Sequence, residues 1–355
     1  MSPVFIPGLQ LAREFSTTVV RPLLEEQFPQ AGYAAALLGP GSEVAGFDSP
    51  RSADHDWGPR LQVFLPDRDA GISAAVTAML SSRLPEYFRG YPVAFPVTSD
   101  PGTATHRVEV TGLGGWLERQ LGFDPRREVT VLDWLATPTQ RLAEFVGGAV
   151  FHDAPGELTS ARTRLAWYPR DIWLYVLACQ WQRIGQEEAF PGRCAEAGDD
   201  LGSAVIAARL ARDLMRLCLL MHRRYPPYSK WLGTAFARLP GADGLTASLA
   251  AAVAVADWRT REQHLCAAYA AAAALHNQLE LTSPLDTKVR RFHDRPYLVI
   301  DAGRFAAALR AAITDAHLRR LPLTGAIDQY VDSTDAVGDL DLGRACTSSA
   351  LGKHH

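Results

Sequence analysis

No charge of one sign dominates this chain of 355 residues: 36 lysines and arginines stand against 39 aspartates and glutamates, a formal net charge of −3. A protein that holds a long nucleic acid or an anionic membrane surface carries a positive surplus, so neither is expected as the main partner. Cysteine is scarce. The five, Cys179, Cys194, Cys218, Cys266 and Cys346, are odd in number and form no Cys-x-x-Cys pair. That argues against a disulfide framework and a zinc site, and fits a reducing cytoplasm. There is no long apolar run. The Ala-rich stretch from Leu245 to Ala256 is too short for a bilayer and soon meets Asp257, Arg259 and Arg261. Met1 to Phe5 lacks the basic and apolar regions of a signal peptide, so a cytoplasmic location is expected. No Gly-x-x-x-x-Gly-Lys-Ser/Thr occurs and no Gly-x-Gly-x-x-Gly follows a strand, which excludes P-loop and dinucleotide-binding readings.

What is present is enough apolar residue, 47%, to build two cores of ordinary size. Residues Leu9 to Gln27 have helical spacing, with a kink or break expected at Pro22. Tyr33 to Leu38 reads as a strand entering a Gly39-Pro40-Gly41-Ser42 turn, and Glu43 to Phe47 as one helical turn. Leu61 to Leu65 and His106 to Val110 alternate as strands, Gly71 to Leu84 reads as a helix, and Ala149 to Asp153 as an edge strand. Beyond about Pro169 the texture becomes helical: Asp171 to Phe190, Leu201 to Tyr225, Lys230 to Leu239, Leu245 to Leu279 with a break near Asp257, and Arg304 to Leu318. The expected fold is α+β. A small mixed-sheet domain over 1–165 is followed by an all-helical bundle over 166–330 and a flexible tail over 331–355, with the active site between the two domains.

The stretch Gly41-Ser42-Glu43-Val44-Ala45-Gly46-Phe47-Asp48, followed by Asp54-His55-Asp56-Trp57, carries the chemistry. In an extended strand alternate side chains share a face, so Asp54 and Asp56 would aim two carboxylates at one point. Two hard oxygen ligands with phosphates completing the shell suit a magnesium ion. A Gly-Ser turn supplies backbone N–H groups and a hydroxyl for those phosphates. Gly58-Pro59 interrupts a regular strand directly after the pair.

The pattern Gly-Ser, then Asp-x-Asp, resembles the signature of the DNA polymerase β-like nucleotidyltransferase superfamily. The longer form, through Trp57-Gly58-Pro59-Arg60, resembles a bacterial nucleotidyltransferase-like group carrying a domain of unknown function. Tyr168-Pro169-Arg170-Asp171-Ile172-Trp173, Gln186-Glu187-Glu188 and Tyr228-Ser229-Lys230-Trp231-Leu232-Gly233 fit that group as well. The resemblance implies an architecture like that of aminoglycoside and lincosamide nucleotidyltransferases, which move AMP from ATP to a hydroxyl. It implies Asp54, Asp56 and Glu109 as magnesium ligands, with Glu109 the third carboxylate on a later strand. Gly41 and Ser42 would hold the triphosphate, joined by Lys230 at a helix start, and Glu187 in the helical domain would act as base. The expected partners are a nucleoside triphosphate and a small hydroxyl-bearing acceptor. A protein or RNA acceptor, or a weakly catalytic nucleotide-binding regulatory module, are the competing readings.

Overall fold

The computed structural model describes residues 3–54, 56–97 and 100–352, and of Asp54, Asp100 and Pro101 the backbone only. The chain divides into two compact units, Met1–Val129 with Arg141–Ala166, and Thr130–Gln140 with Trp167–His355.

The first unit opens with helix α1 (Gly8–Phe15), a five-residue π-helical segment (Ser16–Val20) and α2 (Arg21–Gln27). Pro22 does not break this helix. Its missing N–H falls at the second residue of α2, and the widened turn just before it absorbs the mismatch. Strand β1 (Ala34–Leu37) leads into the Gly-Ser turn and β2 (Arg60–Leu65) follows it. A 3-10 segment (Asp67–Ile72) and helix α3 (Ser73–Arg83) come next. A short ribbon, β3 (Tyr87–Phe88) and β4 (Tyr91–Pro92), then precedes β5 (Ala94–Val97) and the long β6 (Asp100–Gly112). Helix α4 (Leu113–Leu121) follows; α5 (Val131–Ala136) belongs to the second unit. Helix α6 (Thr139–Val146) from Arg141 onward, β7 (Ala149–Asp153) and α7 (Glu157–Arg164) close the first unit.

Five strands form one mixed sheet in the order β5-β6-β2-β1-β7. Only β2 and β6 run parallel, with Arg60 opposite Arg107 and Gln62 opposite Glu109. β7 is an edge strand, antiparallel to β1, as its position in the sequence suggested. The alternation of β2 sorts its side chains. Leu61, Val63 and Leu65 join Phe15, Val20, Leu24, Val76 and Leu80 in one core. On the other face Phe64 meets Trp116 of α4 edge-on at 5.0 Å. β1 is three alanines and a leucine, weak strand formers, but it lies in the sheet interior with every residue buried, and burial decides its state.

Gln62 is the one polar residue of β2 pointing into that second core, and it is buried. Its amide nitrogen donates to the Leu38 carbonyl at 3.2 Å and its oxygen accepts from Leu38 N–H at 3.0 Å. The side chain therefore continues the sheet's hydrogen bonding one residue past β1, fixing where the turn starts. Gln62→Leu is expected to leave both Leu38 groups unpaired and to lower stability by about 2–4 kcal/mol, measured by urea unfolding.

In the second unit α8 (Arg170–Glu187) is buried along most of its length and packs against α10 (Asp200–Met221), α14 (Gly303–Ala311) and α15 (Ala316–Arg320). Around α10 lie α9 (Phe190–Glu196), α11 (Ser229–Ala237), α12 (Asp243–Ala254) and α13 (Trp258–Gln278). The expected break near Asp257 is a cap: the Asp257 carboxylate accepts from Thr260 N–H at 2.8 Å and starts α13. A two-stranded ribbon, β8 (Arg290–Arg291) with β9 (Leu298–Val299), joins α13 to α14. Trp181 is fully buried, stacked on Phe305 at 4.4 Å, and donates to His276 Nδ1 at 3.3 Å.

The terminal segment, expected to be a flexible tail, carries α16 (Thr334–Gly338) and α17 (Leu340–Ala350). Asp339 caps α17, accepting from Leu342 N–H at 3.0 Å, and Arg344 pairs with Asp133 of α5 at 2.6 Å. The polar composition that reads as fraying serves here as caps and ion pairs. No helix among the described residues is long and apolar enough to cross a membrane.

Candidate functional site

The Gly-Ser turn is built as one tight coil. Ala45 N–H donates to the Gly41 carbonyl at 3.2 Å, Gly46 N–H to Glu43 at 3.1 Å and Phe47 N–H to Ser42 at 2.7 Å. The coil uses the carbonyls of Gly41, Ser42 and Glu43. It leaves the N–H groups of Ser42, Glu43 and Val44 at its open end, and none of the three has a hydrogen-bond acceptor among the described residues. Successive unpaired N–H groups at the start of a turn form a concave donor set, the arrangement that holds an anion.

Three supports fix this turn from different sides. Behind it stands α1: a Cβ on Gly8 would lie 2.7 Å from Glu43 Cβ, and Gly8 N–H donates to the Asp48 carboxylate at 2.7 Å. Asp48 thus serves the positive end of α1, where a carboxylate is favoured. Beside it stands Arg60, whose Nε and Nη2 reach Glu43 Oε1 at 2.8 and 2.6 Å while Nη2 also donates to the Pro40 carbonyl at 2.8 Å. Glu43 is buried. Gly41 has no room for a side chain, since a Cβ there would sit 2.3 Å from Arg60 Nη2. From the third side Gly148 N–H donates to the Val44 carbonyl at 2.9 Å. The carbonyls closing α6 at Phe145, Val146 and Gly147 are taken up by the Arg162 guanidinium at 3.1, 2.7 and 2.6 Å.

The aspartate pair does not lie on a strand, which corrects the alternation argument. Asp54 ends a 3-10 segment (Pro50–Asp54), Asp56 has φ +50°, and β2 begins only at Arg60. The cause is local. Trp57 is drawn into a core with Phe5 and Tyr91, and Gly58-Pro59 then turns the chain: Gly58 has φ +159° with the Phe95 ring where a Cβ would go. The side chain of Asp54, and all of His55, lie outside the described residues. Among the described residues no three His, Cys, Asp or Glu side chains gather to hold a metal ion. Glu109 stands on β6 beside Gln62, 3.6 Å from Arg119 of α4; burial pushes its pKa up against the pull of that arginine.

The remaining candidates belong to the second unit. Glu187, at the end of α8, pairs with Arg209 of α10 at 2.6 Å, and its Oε2 is buried without a partner among the described residues. Lys230 is exposed at the start of α11, its ammonium 5.0 Å from the Trp231 ring centroid. Glu188, its neighbour's equal in sequence, does something different: it accepts from the N–H groups of Ile300, Asp301 and Ala302 at 2.8, 3.1 and 3.0 Å. Burial pushes its pKa up from 4.5 to about 7, against the pull of those three N–H groups. A raised acid contributes stability below its unfolded value, lost as pH rises through the folded one. Glu188→Gln cannot titrate, so the unfolding free energy of wild type relative to the variant is expected to fall between pH 4.5 and about 7. Buried His276, held down to about 4, has the opposite slope and is common to both proteins. A flat difference across that window would contradict the assignment.

Arg60, Gln62 and Gly147-Gly148 were not singled out by motif reasoning. The first stands at the end of the Trp-Gly-Pro-Arg extension of the motif, and a Gly-Gly pair directly before a strand is itself a signal of close backbone approach.

A family model, Domain of unknown function (DUF4037), matches residues 134–232. That span holds Tyr168 to Trp173, Gln186 to Glu188 and Tyr228 to Leu232, and leaves the Gly-Ser and Asp-x-Asp segments outside it. No curated protein matches. Among solved structures the chain is similar to a nucleotidyltransferase-like protein from Exiguobacterium sibiricum 255-15. The identity is 11%, covering 84% of this chain and 89% of that one, with a TM-score of 0.33. The functional reading therefore rests on this chain's own residues.

Proposed function

We propose that this protein is a magnesium-dependent nucleotidyltransferase that moves AMP from ATP to a hydroxyl of a small molecule. The observation that carries the reading is the set of three N–H donors at Ser42, Glu43 and Val44, backed by a glycine that admits no side chain and placed one short segment before an Asp-x-Asp pair. Donors in that arrangement fit the oxygens of a phosphate. Ser42, half-buried at the mouth of the turn, adds a hydroxyl. Asp54 and Asp56 are the residues that would hold magnesium, and Glu109 the third carboxylate. Bound there, the ion would neutralise phosphate charge and lower the pKa of the acceptor hydroxyl. The chain's own part is to hold the triphosphate by its charged phosphate oxygens, so that the acceptor oxygen can bond to the α-phosphorus as the bond to pyrophosphate breaks. Lys230 is proposed as a further phosphate contact and Glu187 as the group that takes the hydroxyl proton.

Titration with ATP, in the presence and absence of magnesium, tests this by thermal shift. A rise in Tm that requires both is expected, because a ligand at 100 times its Kd stabilises by about 2.7 kcal/mol. No shift at millimolar Mg-ATP would sink the nucleotide reading.

A further inference from the structure

We propose that Arg60 is the positioning residue of the phosphate turn. By tying Pro40 to Glu43 across Gly41, its guanidinium would hold the N–H groups of Ser42, Glu43 and Val44 in line for a phosphate of the triphosphate. This deepens the nucleotidyl-transfer reading and rests on it.

Three features single out this residue. The first is the fork. Nε and Nη2 both bind Glu43 Oε1, and Nη2 also reaches the Pro40 carbonyl, so one rigid plane spans both ends of the turn's first bend. A lysine ammonium is a single point on a flexible stem and cannot make these bonds in fixed directions. The second is the anchor. Arg60 opens β2 and is paired in register with Arg107 of β6, so the guanidinium projects from the sheet rather than from a loop. The third is the fit around Gly41. The guanidinium and the Glu43 carboxylate occupy the space a Cβ would need, at 2.3 and 2.8 Å. The glycine therefore lies directly against the clasp. Glu43 is in turn pressed onto Gly8 of α1, which leaves Arg60 as the part of the assembly that can be loosened by one substitution without unpacking a helix.

Three residues, Trp57, Gly58 and Pro59, separate the same arginine from Asp56.

The test compares full-length wild type, Arg60→Lys and Arg60→Ala by two readouts. One is hydrogen–deuterium exchange of the Ala45, Gly46 and Phe47 amides, which are protected only while the turn is closed. The other is KM and kcat with Mg-ATP, with pyrophosphate release as the signal. In Arg60→Lys exchange of those amides is expected to rise about tenfold. KM for ATP should rise about tenfold with kcat within about twofold, the signature of lost positioning rather than lost chemistry. Added guanidinium ion should restore KM in Arg60→Ala and leave Arg60→Lys unmoved. Wild-type exchange and KM in Arg60→Lys would overturn the proposal, as would a loss of kcat at unchanged KM. If Arg60→Ala does not fold, the lysine variant decides. If wild-type protein binds no Mg-ATP, the nucleotide reading fails, and the exchange readout alone decides whether Arg60 holds the turn.

Discussion

Asp56→Asn is expected to lower nucleotide transfer by about 10³-fold, on the order of 4 kcal/mol of transition-state stabilisation, while leaving the protein folded. The substitution exchanges one carboxylate oxygen for an amide nitrogen and removes the charge a magnesium ion needs. What makes it a clean test is the backbone. Asp56 sits at φ +50°, in the left-handed region, where asparagine is tolerated as well as aspartate or better. Asparagine therefore fits the bend without added strain, whereas a β-branched residue would not. Circular dichroism and thermal unfolding check the fold, and pyrophosphate release checks the activity. Transfer at the wild-type rate in a folded Asp56→Asn protein would remove Asp56 from the site.

The second large effect is on stability. Gly148→Ala is expected to cost about 3 kcal/mol or more, the sum of a left-handed backbone strained by a side chain and an overpacked contact. Gly148 has φ +61°, and a Cβ there would lie 2.0 Å from the Leu37 carbonyl oxygen. That oxygen belongs to β1, opposite Ala149 of β7, so it cannot move without breaking the strand pair. Gly148 N–H also holds the Val44 carbonyl. The damage therefore reaches the turn: a variant that still folds is expected to lose affinity for Mg-ATP as well. Urea unfolding measures the first effect and a nucleotide titration the second. By contrast, Gly46 has open space where its Cβ would go, and substitution there meets only the cost of its own φ.

Much of this architecture is legible in the sequence. The alternation of Leu61, Val63 and Leu65 declares a strand, and the Gly39-Pro40-Gly41 cluster declares the turn before it. Asp257 and the Pro-Gly pairs mark helix limits by chemistry that acts within a few residues. Two parts were not legible, for distinct reasons. Asp54-His55-Asp56 alternates like a strand in sequence, yet Trp57 finds its partners, Phe5 and Tyr91, far along the chain, and their packing accompanies the left-handed backbone at Asp56. Periodicity has no access to that tertiary pull. The terminal helix α17 is held by Arg344 on Asp133 and by Tyr330 hydroxyl on Thr347 at 2.8 Å, contacts that composition reads only as polarity. For the candidate site, the motif located the turn and the carboxylates. It did not reveal the clasp, because Arg60 acts on Glu43 from across 17 residues.

The central claim is that the N–H groups of Ser42, Glu43 and Val44 hold the phosphates of a nucleoside triphosphate. Amide-resolved hydrogen–deuterium exchange with and without a non-hydrolysable Mg-ATP analogue addresses it directly. With no acceptor among the described residues, these three amides are expected to exchange fast in the free protein and to become protected when the analogue binds. Saturable binding of the analogue with exchange at Ser42, Glu43 and Val44 unchanged would contradict the account.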